Sequence, residues 1–268
     1  MEFLFSAILL GLVEGITEFL PVSSTGHLIL LDSFLPKNMP GNDVFIVSIQ
    51  AGAVCAVMSA YASRIKNLFA FGRGYFTRNR WAMLCAVAFV PSVIVGLTAY
   101  DFIKTVLFSP YVVCAALFVG GVAMIAIEKY VKKERDVTSV DELSLKTALL
   151  IGCCQAIAVI PGSSRSACTI LGGLAFGLNR KTAAEFSFLL ALPTLFAATA
   201  LDLYERRDAL APDALALIAI GFLTAFVSAF FSVKALLRYV SRHNFIPFGV
   251  YRIILAMACF IFLTMKSA

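Results

Sequence analysis

Two carboxylates interrupt an apolar stretch near the start of the chain. Glu14 and Glu18 are four residues apart, so on a helix they share one face. Ionised groups are costly in an apolar stretch and usually face a cavity or a partner, although a shallow helix would let both acids reach water. We predict that the two carboxylates line a polar site, where they could transfer protons or hold Mg²⁺ or Ca²⁺ together with substrate oxygens.

A run of small polar residues follows Pro21 and extends from Ser23 to His27. Free backbone N–H groups and the dipole at the start of a helix bind phosphate, and a histidine can shuttle protons or attack phosphorus. The same kind of run also caps ordinary helices. Beside two acids, it predicts an anion site in which Ser24 or His27 is the nucleophile.

The second polar interruption is centred on Arg165, which has 18 uncharged residues before it and 14 after it. Both flanking loops are too far along the chain for the Arg165 side chain to reach water easily. It therefore needs an anionic partner inside the membrane. A guanidinium binds phosphoryl oxygens through two parallel hydrogen bonds and stabilises charge on a transferred phosphoryl group. The alternative is a structural salt bridge to Glu14, Glu18 or Glu185.

The composition places these residues in a membrane protein. Of the 268 residues, 60% are hydrophobic and 14% are charged, which cannot furnish a polar shell around a water-soluble core. The 22 basic and 16 acidic residues give a net charge of +6, but the cations cluster in short segments between apolar runs. That distribution is typical of membrane-protein loops and excludes a nucleic-acid-binding stripe.

Long uncharged runs predict an all-α, polytopic integral membrane bundle with six full transmembrane helices. A membrane-spanning helix needs roughly 20 apolar residues, and a shorter run can extend past a flanking charge. The six runs cover residues 44–63, 81–100, 105–127, 186–201, 214–233 and 253–265. Two interrupted regions, 3–31 and 147–179, contain proline and serine where one helix ends and another starts, so each predicts a re-entrant helical hairpin.

Lysine and arginine counts orient these helices. Segments 64–80 and 129–146 contain five each and 234–242 contains three, whereas 101–111 contains one and 204–213 two. Loops rich in these residues face the cytoplasm. The rich loops then share one face and both termini the other, so the first hairpin enters from outside and the second from inside. The positions that test this orientation are Arg73 and Lys132, expected inside, and Lys37 and Arg207, expected outside.

The two interrupted regions form a weak internal repeat. Residues 20–25 (LPVSST) align with residues 160–165 (IPGSSR), 140 residues later. Copies that enter from opposite faces predict an inverted-topology repeat, with the functional site where the broken helices meet. We predict a single membrane domain over residues 1–268, which consists of a first repeat at 1–127, a cytoplasmic linker at 128–144 and a second repeat at 145–268.

Residues 14–27 (EGITEFLPVSSTGH) and 161–166 (PGSSRS) resemble the two signature regions of the bacterial undecaprenyl pyrophosphate phosphatase family, the bacitracin-resistance family. The resemblance continues at Ala184–Ala191 and Phe245–Phe248, so it covers essentially the whole chain. It implies a multi-pass enzyme of the bacterial inner membrane that hydrolyses a C55 polyprenyl pyrophosphate to the monophosphate, the lipid carrier for cell-wall synthesis. It also implies bacitracin resistance and an active site open to the periplasmic face.

The resemblance assigns roles residue by residue. The implied catalytic set is Glu14, Glu18, Ser24, His27 and Arg165, and the implied phosphate contacts are Ser23, Thr25, Gly26, Ser163, Ser164 and Ser166. From the chemistry of these groups, we predict that Ser24 attacks phosphorus, with His27 or Glu18 as proton acceptor and Arg165 on the phosphoryl oxygens. Attack by His27 is the alternative. Glu14 and Glu18 are the candidate ligands of a divalent cation, and no organic cofactor is expected.

Two other functions compete with this hypothesis. A transporter or flippase of an anionic polyprenyl lipid would explain the inverted repeat, whereas a non-catalytic assembly subunit would leave the polar hairpin tips unexplained. We expect a polyprenyl pyrophosphate lipid and the bilayer as partners and no nucleic acid, and we leave a homodimer open. Glu185, Asp202 and Arg252 are interpreted as structural, because each lies near the end of an apolar run.

Overall fold

The computed structural model describes residues 2–32, 35, 42–72, 74–99, 103–107, 109–130, 137–205 and 214–267. These residues form a helical bundle, and within them the one β-type contact is an isolated bridge between Val137 and Leu178. The α-helices are α1 (Glu2–Thr17), α2 (Ser24–Asp32), α3 (Asn42–Ala60), α4 (Ala62–Leu68), α5 (Tyr75–Arg78), α6 (Arg80–Thr98), α7 (Pro110–Tyr130), α8 (Leu145–Ala156), α9 (Arg165–Ala175), α10 (Arg180–Glu205), α11 (Leu215–Val240) and α12 (Ile246–Ser267). Shorter helical turns cover Ile103–Leu107, Val140–Glu142 and Ile157–Val159.

Several of these helices can cross a membrane. Within the described ranges, five are long and apolar enough to do so, namely α6, α7, α10, α11 and α12. The number rises to six when Val44–Ala60 and Ala62–Leu68, which are bent by 84° relative to each other, count as one span. The prediction of a polytopic helical membrane protein is confirmed, and the count of six crossings stays a prediction.

Two membrane helices are longer than the apolar runs that predicted them. Helix α12 begins at Ile246, whereas its run begins at residue 253, and α10 likewise begins before its run. Those runs were bounded by Glu185 and Arg252, but Glu185 is half-buried and Arg252 is fully buried. A charge that is shielded from lipid by the protein does not end a membrane helix.

The first broken region, α1 with α2, packs against α11. A Cβ atom on Gly11 would lie 2.5 Å from the carbonyl oxygen of Gly221, and one on Gly15 would lie 2.0 Å from the Ser228 hydroxyl. Because these contacts occur in the same order along both helices, α1 and α11 run in the same direction. Glycine is required here, since a side chain would force the two helices apart.

The second broken region, α8 with α9, packs in the same way against α6. A Cβ atom on Gly152 would lie 2.2 Å from the carbonyl oxygen of Ala88. One turn further on, Gln155 Nε2 donates to the Ser92 hydroxyl at 2.9 Å. Helices α8 and α6 therefore run in the same direction.

Each broken region thus contacts a helix from the opposite half of the chain, and the two halves interlock. The predicted division of residues 1–268 into two repeats and a linker stays a prediction. Residues 131–136 of the linker lie outside the described residues, and so do Lys37, Arg73, Lys132 and Arg207, the positions that would report sidedness.

The two breaks share an unusual backbone conformation. Ser23 and Ser164 both have a φ of 70°, and they are the two non-glycine residues with positive φ in the described chain. Each lies directly before a helix, and each hydroxyl accepts a hydrogen bond from the backbone N–H three residues further on. Such a conformation costs about 1–3 kcal/mol and persists where the surrounding structure holds it, often at functional sites.

This match corrects the alignment of the two regions by one residue. The sequence pairs Ser24 with Ser164 at an offset of 140, whereas the backbone pairs Ser23 with Ser164 at an offset of 141. A sequence alignment matches identical residue types, whereas the structure matches the capping residues that precede the two helices. Ser24 and Arg165, the first residues of α2 and α9, are therefore the equivalent positions.

Candidate active site

Glu18 is the point at which the two hairpins meet. Ser24 Oγ donates to its Oε2 at 2.6 Å, and Arg165 Nη2 donates to its Oε1 at 3.3 Å. The side chains of Arg165 and Glu18 are 11% and 9% exposed, so this ion pair is largely shielded from water. A hydroxyl, a carboxylate and a guanidinium are thus in direct contact where α2 and α9 begin.

Arg165 has further partners. Its Nη1 donates to the carbonyl of Ser187 at 3.0 Å, and its guanidinium lies 5.6 Å from the centre of the Phe19 ring. Its Nε is buried without a hydrogen-bond partner among the described residues. The salt bridge to Glu18 is one of the alternatives expected from the sequence. A buried ion pair contributes little net stability, so a phosphoryl group can replace the carboxylate as the partner of Arg165.

Glu14 is fully buried, and neither of its carboxylate oxygens has a hydrogen-bond partner within the described ranges. An unpaired buried carboxylate is costly, which fits a site that receives a cation or a proton donor with the substrate. Glu14 and Glu18 would give a divalent cation two carboxylates. Among the described residues, no three Asp, Glu, His or Cys side chains lie close enough together to hold a metal ion. The remaining ligands of a cation would therefore come from substrate and water.

His27 is held by contacts on both sides of its ring. Its Nδ1 lies 2.8 Å from the carbonyl oxygen of Ser23, and its Nε2 lies 2.6 Å from the hydroxyl of Tyr251. Because a carbonyl only accepts, we assign the proton to Nδ1, which makes Nε2 the acceptor of the tyrosine O–H. The rings of His27 and Tyr251 are stacked at 5.6 Å. The hydroxyl of Ser24 bonds Glu18, the other proton acceptor expected from the sequence.

The remaining hydroxyls hold the breaks together. Ser166 Oγ donates to the carbonyl of Leu20 at 2.8 Å and so links the two breaks directly. The hydroxyls of Ser164 and Ser166 lie 3.0 Å apart. Two helix N-termini also meet at the site, and such termini bind anions. The phosphate contacts implied for Ser23, Thr25, Gly26, Ser163, Ser164 and Ser166 stay predictions.

Arg252 has a larger part in this site than the sequence indicated. It is fully buried, and its guanidinium donates to backbone carbonyls at both breaks, at Pro21, Gly162 and Ser163. An isolated charge within an apolar run is the same signal that identified Arg165, but its position near the end of a run suggested a boundary charge. Tyr251, the partner of His27, carries no signal, since a tyrosine in a membrane helix is ordinary.

An apolar cavity of about 500 Å³ lies between α7 and the second hairpin. It extends along α7 from Val112 to Ile127, and Ser163 lines it at the second break. Apart from Ser163 and two cysteines, its lining consists of alanine, glycine, valine, isoleucine and leucine. Such a cavity suits a hydrocarbon ligand whose polar end lies at the break.

The family model described as Bacitracin resistance protein BacA matches residues 7–258. The chain belongs to the BacA family. The match includes every site residue from Glu14 to Arg252, and the family expected from the two motifs is confirmed.

Curated relatives of this BacA-family chain have one name in common, Undecaprenyl-diphosphatase. The protein from Wolinella succinogenes is 47% identical over 256 residues, which are 95% of this chain and 96% of that protein. The protein from Aromatoleum aromaticum is 46% identical over 251 residues, 94% of this chain and 91% of its own length. The protein from Caulobacter vibrioides is 47% identical over 248 residues, 92% of each chain.

Proposed function

We propose that this BacA-family chain hydrolyses undecaprenyl pyrophosphate to undecaprenyl phosphate and inorganic phosphate. The shared name of its relatives supports this function. The observation that carries the proposal is the contact of Ser24 and Arg165 with one carboxylate, Glu18. It brings a nucleophile, a proton acceptor and a cation within hydrogen-bonding distance, which are the groups that a phosphoryl transfer through an enzyme side chain needs.

Ser24 is the nucleophile of the proposed reaction. Its Oγ attacks the terminal phosphorus while its proton passes to Glu18. The bond between that phosphorus and the bridging oxygen breaks, and undecaprenyl phosphate leaves with the electron pair. Water then attacks the phosphoserine, phosphate departs, and Ser24 recovers its proton from Glu18.

Arg165 changes partners during this sequence. When the phosphoryl group arrives, its oxygens replace Glu18 at the guanidinium, which leaves the carboxylate free to accept the proton of Ser24. Charge that develops on the transferred group is then stabilised by Arg165 and by the N-termini of α2 and α9.

Two contacts favour Ser24 over His27 as nucleophile. The ring nitrogen of His27 that carries a lone pair, Nε2, accepts from Tyr251, whereas Ser24 contacts a carboxylate at 2.6 Å. His27 packs one turn after Ser24 and holds the carbonyl of Ser23. Its proposed task is to keep this turn, and with it Ser24, in place.

A divalent cation is the proposed partner of the acids. Glu14 and the carboxylate oxygen of Glu18 that does not bond Ser24 would hold Mg²⁺ or Ca²⁺ against the pyrophosphate, and the ion would neutralise part of the charge of the leaving group. The unpaired carboxylate of Glu14 supports this assignment. Glu14 and Glu18 would in this way orient the pyrophosphate for attack by Ser24.

The lipid part of the substrate is assigned to the membrane-embedded side of the protein. The cavity of about 500 Å³ along α7 takes the first isoprene units, and the rest of the C55 tail lies in the bilayer. We place the chain in the bacterial inner membrane with its site open to the periplasmic face. A homodimer stays open.

Phosphate release in detergent tests this function, because no membrane sidedness exists there and a flippase would produce nothing. The purified protein should release phosphate from undecaprenyl pyrophosphate, and Ser24→Ala should not. Addition of EDTA tests the cation, and activity that survives it would exclude a divalent metal. A folded parent protein that releases no phosphate with Mg²⁺ or Ca²⁺ present would refute the enzyme and favour lipid transport.

A further inference from the structure

Arg252 donates hydrogen bonds to both breaks at once. Its Nη1 donates to the carbonyl of Pro21 at 3.3 Å, in the first break. Its Nη2 donates to the carbonyls of Gly162 and Ser163, each at 3.1 Å, in the second break. The same guanidinium also donates to the carbonyls of Ala116 and Leu117 in α7, at 3.2 and 3.3 Å.

The chemistry of this contact suits a rigid link. A guanidinium carries five N–H donors in a fixed plane, and carbonyl oxygens near a helix break need partners. Arg252 is fully buried, and no salt bridge to a carboxylate is formed by it within the described chain. Burial of a cation without an anion is costly, so its presence between the two breaks requires a compensating task.

We propose that Arg252 is a positioning residue that fixes the first break against the second. The distance between Ser24 and Arg165 across Glu18 then depends on this link, and the inference rests on the proposed phosphatase reaction. Among the described residues, the two hairpins are also joined by Ser166, which bonds Leu20 at a single point, and by the Arg165–Glu18 pair of the site itself. Reacting groups displaced by 1 Å can lose about 10²-fold in rate, so the link bears on catalysis without contact to the substrate.

Gly120 offers a way to disturb Arg252 without replacing it. A Cβ atom at Gly120 would lie 2.2 Å from Arg252 Nη2 and 2.9 Å from its Cζ. Those atoms are the end of a flexible side chain, so alanine would displace the guanidinium from its carbonyls while the backbone stays. Alanine also favours helix more than glycine does, so Gly120→Ala should not weaken α7 itself.

Gly96 is the matched control. It is a helical glycine in the membrane helix α6, and a Cβ atom there would meet nothing within 4 Å. Gly96→Ala therefore makes the same chemical change with no effect on Arg252. Because Gly120 also lines the apolar cavity, the readout is kcat at saturating undecaprenyl pyrophosphate, since weaker binding of the isoprene tail would raise KM.

The experiment compares the purified parent with Arg252→Lys, Gly120→Ala, Gly96→Ala and the double variant of the first two. We expect Arg252→Lys and Gly120→Ala to lower kcat by about 10²-fold with little change in KM, per folded protein measured by thermal melting in detergent. Gly96→Ala should match the parent. The double variant should be no slower than Arg252→Lys, since both changes break one link.

Each other outcome has a definite meaning. If Gly120→Ala is folded and keeps the parental kcat, the positioning role is wrong, and this holds even if Arg252→Lys fails to fold. Multiplied losses in the double variant would also overturn the link, because the two residues would then act separately. A parent protein without hydrolysis refutes the phosphatase itself, so failure of the enzyme and failure of the link are distinguishable.

Discussion

The two breaks of this molecule share a backbone but divide the chemistry between them. Ser24 and Arg165 occupy the same place, the first residue of a helix after a serine with a φ of 70°. One supplies a hydroxyl and the other a cation, and both contact Glu18. The position that corresponds to Glu18 in the second hairpin is Val159, which cannot titrate. The hairpins therefore build one composite site and not two equal ones.

The same division holds one turn earlier. Glu14 and its counterpart Gln155 are both buried, at 0% and 3% exposure. Gln155 donates to Ser92, whereas the carboxylate of Glu14 has no partner among the described residues. The Oε1 of Gln155 is also unpaired within the described residues, but an unpaired neutral amide oxygen costs far less than an unpaired carboxylate. We therefore expect Glu14, the acid on the side of the nucleophile, to serve the reaction and not the fold.

The largest effect is expected at the nucleophile of the first break. Ser24→Ala removes the hydroxyl that bonds Glu18 and should lower kcat by about 10⁴-fold or more, measured as phosphate release. Ser6→Ala, at the other end of the same hairpin, is the control and should remain active. The parent should also form a phosphoenzyme that is stable to acid and labile to base. An acid-labile phosphoenzyme would instead transfer the nucleophilic role to His27.

A smaller loss is expected at the cation of the second break. Arg165→Lys keeps the charge but loses the planar pair of donors, and kcat should fall by about 10²- to 10³-fold while the protein still folds. Arg180→Lys is the matched control, since Arg180 binds Glu128 through two hydrogen bonds of 2.8 and 2.9 Å away from the breaks. Near-normal turnover of Arg165→Lys would contradict the proposed role of the Arg165 guanidinium in the mechanism.

Exchanging the acid and the amide tests the division directly. Glu14→Gln should lower kcat by about 10²-fold without loss of thermal stability, because it removes an unpaired buried carboxylate. Gln155→Glu should leave activity per folded protein unchanged and destabilise the fold by about 1–3 kcal/mol, measured by thermal unfolding in detergent. Full activity in Glu14→Gln would mean that both positions are structural. The two hairpins would then differ in chemistry at Glu18 but not one turn earlier.

The smallest effects are expected at the pair next to the nucleophile. His27→Ala should lose less than about 10²-fold in kcat, because Glu18 and not His27 contacts Ser24. Tyr251→Phe removes the hydroxyl at 2.6 Å from His27 Nε2 and should cost less than that. Steady-state phosphate release measures both. A loss in His27→Ala as severe as that in Ser24→Ala would place His27 in the chemical step.

The members of the site that could be predicted from sequence share one property. Glu14, Glu18 and Arg165 each interrupt an apolar run, where a charge requires a reason. The breaks themselves follow from proline and serine in the middle of helical stretches. What the sequence could not specify is the register between the breaks, because it depends on the backbone conformation of Ser23 and Ser164 and not on letter identity.

Arg252 shows where sequence reasoning ends. It carries the same signal as Arg165, yet its partners are backbone carbonyls, one of them 231 residues away at Pro21. Every residue has a carbonyl, so such a partner leaves no trace in the sequence. A carboxylate partner can be proposed from its residue type, whereas a carbonyl partner requires the three-dimensional fold.

The crossed packing of the hairpins has a consequence for how the protein is made. The helix that supports Gly11 supplies Ser228, 217 residues further along the chain. While the ribosome is still producing that helix, the first hairpin holds two carboxylates in an apolar segment without their shield, at a cost in lipid. We therefore expect the hairpin to take its final place late, after α11 has entered the membrane. A product that ends before α11 should be inactive, because the first hairpin would then lack the helix against which Gly11 and Gly15 pack.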